Sequence, residues 1–152
     1  MEKIFVDSGA FIAWGSKTDN FHRIAAEKYR GLVAVRAPLI TTNHIIDETC
    51  TWLLRRAPCG HHAAVKFGEF IHDIGVPIWP GQPLGIRSFN PAIHVIYSSP
   101  EIEQEAWDIF ATYDTAGFSF TDCVSFAVMR ELRIRKAFTF DTHFDLMGFE
   151  RM

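Results

Sequence analysis

A chain of 152 residues, 48% of them hydrophobic, 14% aromatic and only 22% charged, is too apolar for a disordered or fibrous protein and long enough to bury a core. Its net charge of -3 excludes a protein that coats nucleic acid through an overall basic surface, while leaving room for a local acidic site that acts on phosphate. Cys50, Cys59 and Cys123 have no CxxC spacing and no histidines at metal-ligand intervals, so they read as reduced thiols of a cytoplasmic protein. No basic segment followed by an apolar core opens the chain, and no window approaches the roughly 20 apolar residues of a membrane helix, so a soluble, unprocessed protein with no membrane contact is expected.

Residues 3–6, Lys-Ile-Phe-Val, predict a short buried strand that delivers Asp7 ahead of Ser8 and Gly9. The apolar run from Ala10 to Trp14 predicts a short helix broken near Gly15. Asp19-Asn20 offers an N-cap for a helix carrying Phe21, Ile24, Ala25 and Tyr29 on one face and stopped by Gly31. Pro38 precedes a second strand, Leu39 to Thr42, and Asn43 is the expected cap of a helix running to about Arg56. In that helix Ile45, Ile46, Thr49, Trp52 and Leu53 form one stripe at roughly 100° per residue, with Glu48 on its margin and Asp47 nearly opposite. Of these two adjacent acids, Glu48 is the one turned towards the protein.

Ala64, Phe67, Ile71 and Ile74 predict a further amphipathic helix with Gly75 at its C′ position. Residues 76–94, rich in proline and glycine, predict a long surface loop with at most a short strand at Val76 to Trp79. A third strand is expected at His94 to Tyr97. Ser99-Pro100-Glu101 combines an N-cap, a proline at N1 and an acid in the first turn, opening a helix that buries Ile102, Ala106, Ile109, Phe110 and Tyr113. Ser119 and Thr121 are candidate caps of the next helix, with Asp122 in its first turn and Val124, Ala127, Val128 and Leu132 on its apolar side. Ala137-Phe-Thr-Phe predicts a final strand with Asp141 at its C-terminal end, followed by Asp145 and a short tail. Strands alternate with helices and no repeat or linker interrupts them, which predicts a single three-layer α/β domain over residues 1–152 with a mainly parallel sheet.

In such sheets ligands bind at the C-terminal ends of the strands, and Asp7, Glu48, Asp122 and Asp141 all have a place there, with Asp145 a candidate fifth. Carboxylates gathered in a partly buried cluster repel one another unless a cation neutralises them. Hard oxygen ligands without histidine or cysteine suit Mg²⁺ or Mn²⁺. Each acid also has an ordinary reading: a turn residue for Asp7, a helix-dipole acid for Asp122, a surface acid for Glu48. Periodicity shows where each carboxylate can sit, not that they meet.

Ile4-Phe-Val-Asp7-Ser, Thr42-x-x-Ile45-x-x-Glu48, Ser119-Phe-Thr-Asp122-Cys-Val-Ser-Phe-Ala and Ala137-Phe-Thr-Phe-Asp141-x-His-Phe together span nearly the whole chain. In this order they resemble the PIN domain, particularly the VapC-like toxins of bacterial and archaeal toxin–antitoxin pairs. Two features depart from that pattern: the Pro/Gly-rich stretch at 76–94 is longer than usual, and Cys123 stands where a small alanine is commoner. The resemblance implies a PIN-like α/β/α fold and a metal-dependent endoribonuclease, with Asp7, Glu48, Asp122 and Asp141 as catalytic residues binding one or two Mg²⁺ or Mn²⁺ ions directly or through water. It also implies RNA cleaved to 5′-phosphate and 3′-hydroxyl ends, a cognate antitoxin whose tail enters the acidic groove, and a homodimer.

Ser8 and Thr121 are candidates to orient ligands or water, or simply turn and cap residues. His143 is a candidate phosphate contact, with packing or capping the commoner role of a lone histidine. His61 and His62 face different directions on a helix and are not read as a metal site. Arg55, Arg56 and the group Arg130 to Lys136 could guide RNA, but basic residues near helix ends have an ordinary explanation in the helix dipole, and they stay outside the expected site. Two other readings compete: a catalytically inactive PIN-like module that binds RNA or protein, and an aspartate-based phosphotransfer domain. The second is weakened because Asp7-Ser8-Gly9 lacks the second acid of a D-x-D nucleophile, and Asp141 stands where a receiver would carry lysine.

Overall fold

The computed structural model describes residues 2–58, 60–82 and 93–152. They form a six-stranded sheet, all of whose pairings are parallel: β1 (Ile4–Val6), β2 (Leu39–Thr42), β3 (Gly75–Ile78), β4 (Ile93–Ile96), β5 (Lys136–Phe138) and β6 (Glu150–Arg151), in the order β3-β4-β2-β1-β5-β6. The central strands β1, β2 and β4 are buried along their whole length, as continuous apolar runs in a sheet covered on both faces should be. Both edges are half-exposed or exposed, and Pro77 is tolerated in β3 because that strand is an edge.

Among the described residues seven helices connect them: α1 (Ser8–Gly15), α2 (His22–Ala34), α3 (Asn43–Arg56), α4 (Gly60–Ile74), α5 (Pro100–Thr112), α6 (Phe120–Glu131) and α7 (His143–Leu146). Right-handed crossovers place α1 to α4, which lead outward through β2 to β3, on one face, and α5 and α6, which lead back across to β5, on the other. The packing agrees, since α1 touches α2 and α3, α3 touches α4, and α5 touches α6. This is the expected α/β/α sandwich. Because α3 follows β2 and α6 runs back to enter β5, the first turns of both lie at the C-terminal edge of the sheet. The chain moves from β1 to β2 in one direction and later reaches β5 in the other, so β1 marks the point where strand order reverses.

Several local expectations are corrected. Helix α2 passes Gly31 and ends at Ala34, where Ala37 N–H donates to Leu32 O and Arg36 N–H to Val33 O, with Arg36 at φ 54° taking the left-handed position usually given to glycine. Phe21 and Ile24 are exposed, and the buried face of α2 is Ala25 and Leu32. Thr42, not Asn43, caps α3 by accepting from Ile45 N–H, while the Asn43 side chain accepts from Ser98 N–H beyond β4. Gly75 begins β3 instead of closing α4, and a Cβ there would collide with the carbonyl of Ile71. The predicted loop over 76–94 gives way to β3 at one end and to β4, from Ile93, at the other, with 83–92 outside the described residues. Phe110 and Tyr113 are exposed where burial was expected, and β5 stops at Phe138. The tail carries α7 and the edge strand β6.

Candidate active site

Each predicted acid arrives on a different element. Asp7 follows β1, and its N–H donates to Phe138 O at 3.1 Å, carrying the β1–β5 ladder past the last strand residue. The residue is only 5% exposed, and its carboxylate accepts from Thr139 Oγ1 at 2.7 Å, with Ser8 Oγ 3.5 Å from its other oxygen. Glu48 stands in the second turn of α3, half-buried, on the side that packs towards α6. Asp122 is the N3 residue of a capping box: Oδ2 accepts from Ser119 N–H at 2.8 Å, and Ser119 Oγ accepts from Asp122 N–H at 3.0 Å. The capping role and the place in the pocket therefore belong to one side chain. Asp141 lies three residues past the end of β5 rather than on the strand tip. Its N–H donates to Thr139 Oγ1 at 3.0 Å, and its Oδ1 accepts from His143 N–H at 2.8 Å.

Asp7, Glu48, Asp122 and Asp141 line a single pocket of about 500 Å³, with Ser8, Gly9, Ile12, Trp52, Ser119 and Phe140. Among the described residues no lysine or arginine forms a salt bridge with any of the four. Burial, and more weakly the charges of Asp122 and Glu48, push the Asp7 carboxyl up to about 7 against the pull of the Thr139 and Ser8 hydrogen bonds. Burial also raises Glu48, with a Ser8 hydrogen bond opposing and the charges of Asp122, Asp141 and Asp47 adding. The same cause raises Asp122, opposed mainly by its hydrogen bonds with Ser119. The tightest group is Asp122, Asp141 and His143, each with one potential ligand atom within 4.8 Å of the others. His143 Nδ1 lies 3.5 Å from Asp122 Oδ2 and 3.3 Å from Asp141 Oδ2, buried and without an aligned hydrogen bond. Two carboxylates beside an imidazole nitrogen that has no hydrogen bond of its own form a donor set suited to a divalent cation.

Asp145 is not part of this pocket and pairs instead with Arg151 Nε at 2.7 Å. Thr121 lines a neighbouring groove with Glu48 and Trp52 rather than the pocket itself. Sequence reasoning missed Thr139, whose hydroxyl donates to Asp7 and accepts from the backbone of Asp141, joining two of the acids. A hydroxyl among aromatic strand residues was the available signal. His143, a candidate phosphate contact by its position two residues after Asp141, lies beside two of the acids.

The model of the PIN domain matches residues 4–150. The chain is 34% identical over 147 residues to the 23S rRNA-specific endonuclease VapC20 of Mycobacterium tuberculosis, covering 96% of this chain and 95% of that one. It is 31% identical to a VapC ribonuclease of Archaeoglobus fulgidus over 144 residues, 93% of this chain and 78% of that one. The crystal structure of M. tuberculosis VapC20, described as a sarcin-ricin loop cleaving toxin, superposes with a TM-score of 0.74 at 32% identity, covering 97% and 96% of the two chains. FitAcB of Neisseria gonorrhoeae shares the fold at 11% identity, with a TM-score of 0.59 and 98% and 96% coverage. Sequence and fold thus agree over almost the full length, and the chain belongs to the PIN domain family.

Proposed function

We propose that this PIN domain is a metal-dependent endoribonuclease, the toxin of a toxin–antitoxin pair, in which Asp7, Glu48, Asp122 and Asp141 hold one or two Mg²⁺ or Mn²⁺ ions. The observation that carries the reading is that four carboxylates share one pocket and, among the described residues, no lysine or arginine pairs with them, three of the four being raised by burial. A divalent cation bound there lowers the pKa of water and neutralises charge building on a phosphodiester during in-line displacement. The protein's part is to keep the acids in place beforehand. Thr139 fixes Asp7 and the backbone of Asp141, the capping box fixes Asp122, and Ser8 Oγ lies 3.5 Å from Asp7 Oδ1. His143 Nδ1, beside Asp122 and Asp141 and without a hydrogen bond of its own, is placed to join them at the ion or to contact a phosphate oxygen.

Residues 1–152 act as one nuclease domain in this reading, in the cytoplasm and as a homodimer; no helix among the described residues is long and apolar enough to cross a membrane. The relatives named as VapC endonuclease and ribonuclease support an RNA substrate, and the 23S rRNA specificity of one of them makes ribosomal RNA the first to test. An antitoxin segment presenting an arginine would satisfy the unpaired acids in the metal's place. The product of the neighbouring gene should bind the purified chain, and a lack of affinity would remove the antitoxin from the proposal.

The deciding experiment compares cleavage of single-stranded and structured RNAs by wild type and Asp122→Asn in Mg²⁺, Mn²⁺ and EDTA. Wild type should cleave only with metal, and the variant should be slower by at least about 100-fold. Equal rates, or cleavage that persists in EDTA, would reject the metal mechanism.

A further inference from the structure

The predicted apolar stripe of α3 is only partly realised. Ile45, Thr49 and Leu53 are buried, while Trp52 stays 38% exposed at the rim of the acid pocket. Trp52 also lines a second groove of about 370 Å³, shared with Glu48, Thr51, Thr121, Arg55 and Arg56, to which Asp47 adds one opposing charge. The two hollows meet at Glu48 and Trp52, so a strand leaving the acids along α3 crosses the indole and reaches the arginines. Counted from Glu48, Trp52 is at i+4, Arg55 at i+7 and Arg56 at i+8, the spacing of one helix face. These positions lie about 6 Å and 10–12 Å along the helix axis.

We propose that Trp52, Arg55 and Arg56 form an RNA subsite beside the acid pocket, in which an unpaired base stacks on the Trp52 indole and the adjoining phosphate is held by the two arginines. The subsite rests on the ribonuclease reading given above. The helix dipole accounts for two cations in the last turn of α3, but not for an open tryptophan between them and the acids. Among the described residues neither arginine forms a salt bridge, and Trp52 has no aromatic ring stacked against it. The other aromatic wall of the pocket, Phe140, is already covered by Phe21 at 4.5 Å. The indole is therefore the open aromatic face of the pocket. An acid pocket repels RNA backbone, so neighbouring cations are needed to hold a strand whose scissile phosphate lies among the acids. Bases in a duplex have their faces stacked, which restricts the subsite to loops and single strands.

The test measures binding of fluorescein-labelled single-stranded oligoribonucleotides of about 12 residues. It uses the full chain carrying Asp122→Asn with Mg²⁺ present, alone and with Trp52→Ala, Trp52→Phe, Arg55→Ala or Arg56→Ala. Circular dichroism melts check that each variant is folded. Trp52→Ala should weaken binding by about 5- to 100-fold, the range of one base–aromatic stack, and Trp52→Phe should recover most of the loss. Each arginine variant should lower the slope of log affinity against log salt by about 0.7. In a series with one abasic position per oligonucleotide, one position should weaken the parent as much as Trp52→Ala does, and have no further effect in the Trp52→Ala chain.

Equal affinity of parent and Trp52→Ala, or a Trp52→Ala loss that is the same for every abasic oligonucleotide, overturns the subsite while leaving the nuclease reading in place. Should wild type neither cleave nor the parent bind any single strand, both fall. Unchanged salt slopes in both arginine variants overturn the phosphate contacts.

Discussion

Helix α6 buries every residue from Asp122 to Met129, whereas α4, three residues longer, fully buries none. Both belong to the same sandwich, and the difference comes from position: α6 is covered all round, while α4 has one face in solvent. Helix α6 lies against α5 and the reversal point of the sheet, where Phe126 meets Phe118, Phe144 and Phe149. Helix α4 covers the β3 edge, and its Phe67 and Phe70 are half-buried against Phe11 and Trp14. The acid that begins α6 is therefore held by a helix that cannot shift without opening the core, while the far side of the molecule tolerates looser packing. The sharpest way to break this contrast is to truncate a side chain in each helix. Phe126→Ala should destabilise the fold by about 3–5 kcal/mol. Val65→Ala, on the exposed side of α4, should stay within about 0.5 kcal/mol. Denaturant melts giving similar losses for the two would mean that α6 holds no special place.

The same packing makes the acid pocket a weak point when no cation is bound. Burial lifts Asp7 from the ordinary 3.8 to about 7. Between those values the folded chain binds the proton more tightly than the unfolded one, so stability falls as pH rises through the window. Below about pH 4 the group carries no penalty; above about pH 7 the full effect stands, on the order of 4 kcal/mol at 1.4 kcal/mol per unit. Glu48 and Asp122 shift the same way for the same cause. Asp7→Asn should therefore abolish metal-dependent cleavage yet stabilise the chain in EDTA by about 2–4 kcal/mol above pH 7, with the gain fading towards about pH 4. Mg²⁺ should narrow the gap by stabilising only wild type. Melting curves of the two proteins across pH decide it, and a wild type more stable than Asp7→Asn in EDTA at pH 8 would show that the pocket carries no such strain.

Against these contrasts, the legible parts of the sequence are those set by local chemistry. The apolar runs of β1, β2 and β4, the caps Ser99 and Ser119, and the choice of Glu48 over Asp47 follow from period and hydrogen-bonding type. What escaped depends on partners distant in the chain. Helix α2 continues through Gly31 because its end is made by Arg36 in a left-handed turn, and α6 ends the same way at Arg133, where a glycine would have been the visible mark. The β6 strand has two exposed residues and no pattern of its own, and exists because β5 offers it an edge. Trp52 fits the apolar stripe by angle, yet opens onto a pocket that only the assembled sheet creates. Thr139 likewise becomes a bridge between two acids only once β1 and β5 are paired.

The smallest expected effect tests whether the packing of α6 or its cap positions Asp122. Ser119 Oγ accepts from the Asp122 N–H, and the Ser119 N–H reaches back to the Asp122 carboxylate. Ser119→Ala removes the first bond and leaves the second, so stability should drop by about 1 kcal/mol, the ordinary value of an N-cap. If the buried body of α6 alone sets the acid's place, cleavage at saturating metal should be unchanged apart from that loss. If the cap also holds the carboxylate rotamer, the metal concentration giving half-maximal cleavage should rise by about 10-fold or more while the rate at saturation recovers. Because the backbone N–H of Ser119 survives the substitution, the second outcome would mean that one hydroxyl, rather than eight buried residues, holds the first turn in register.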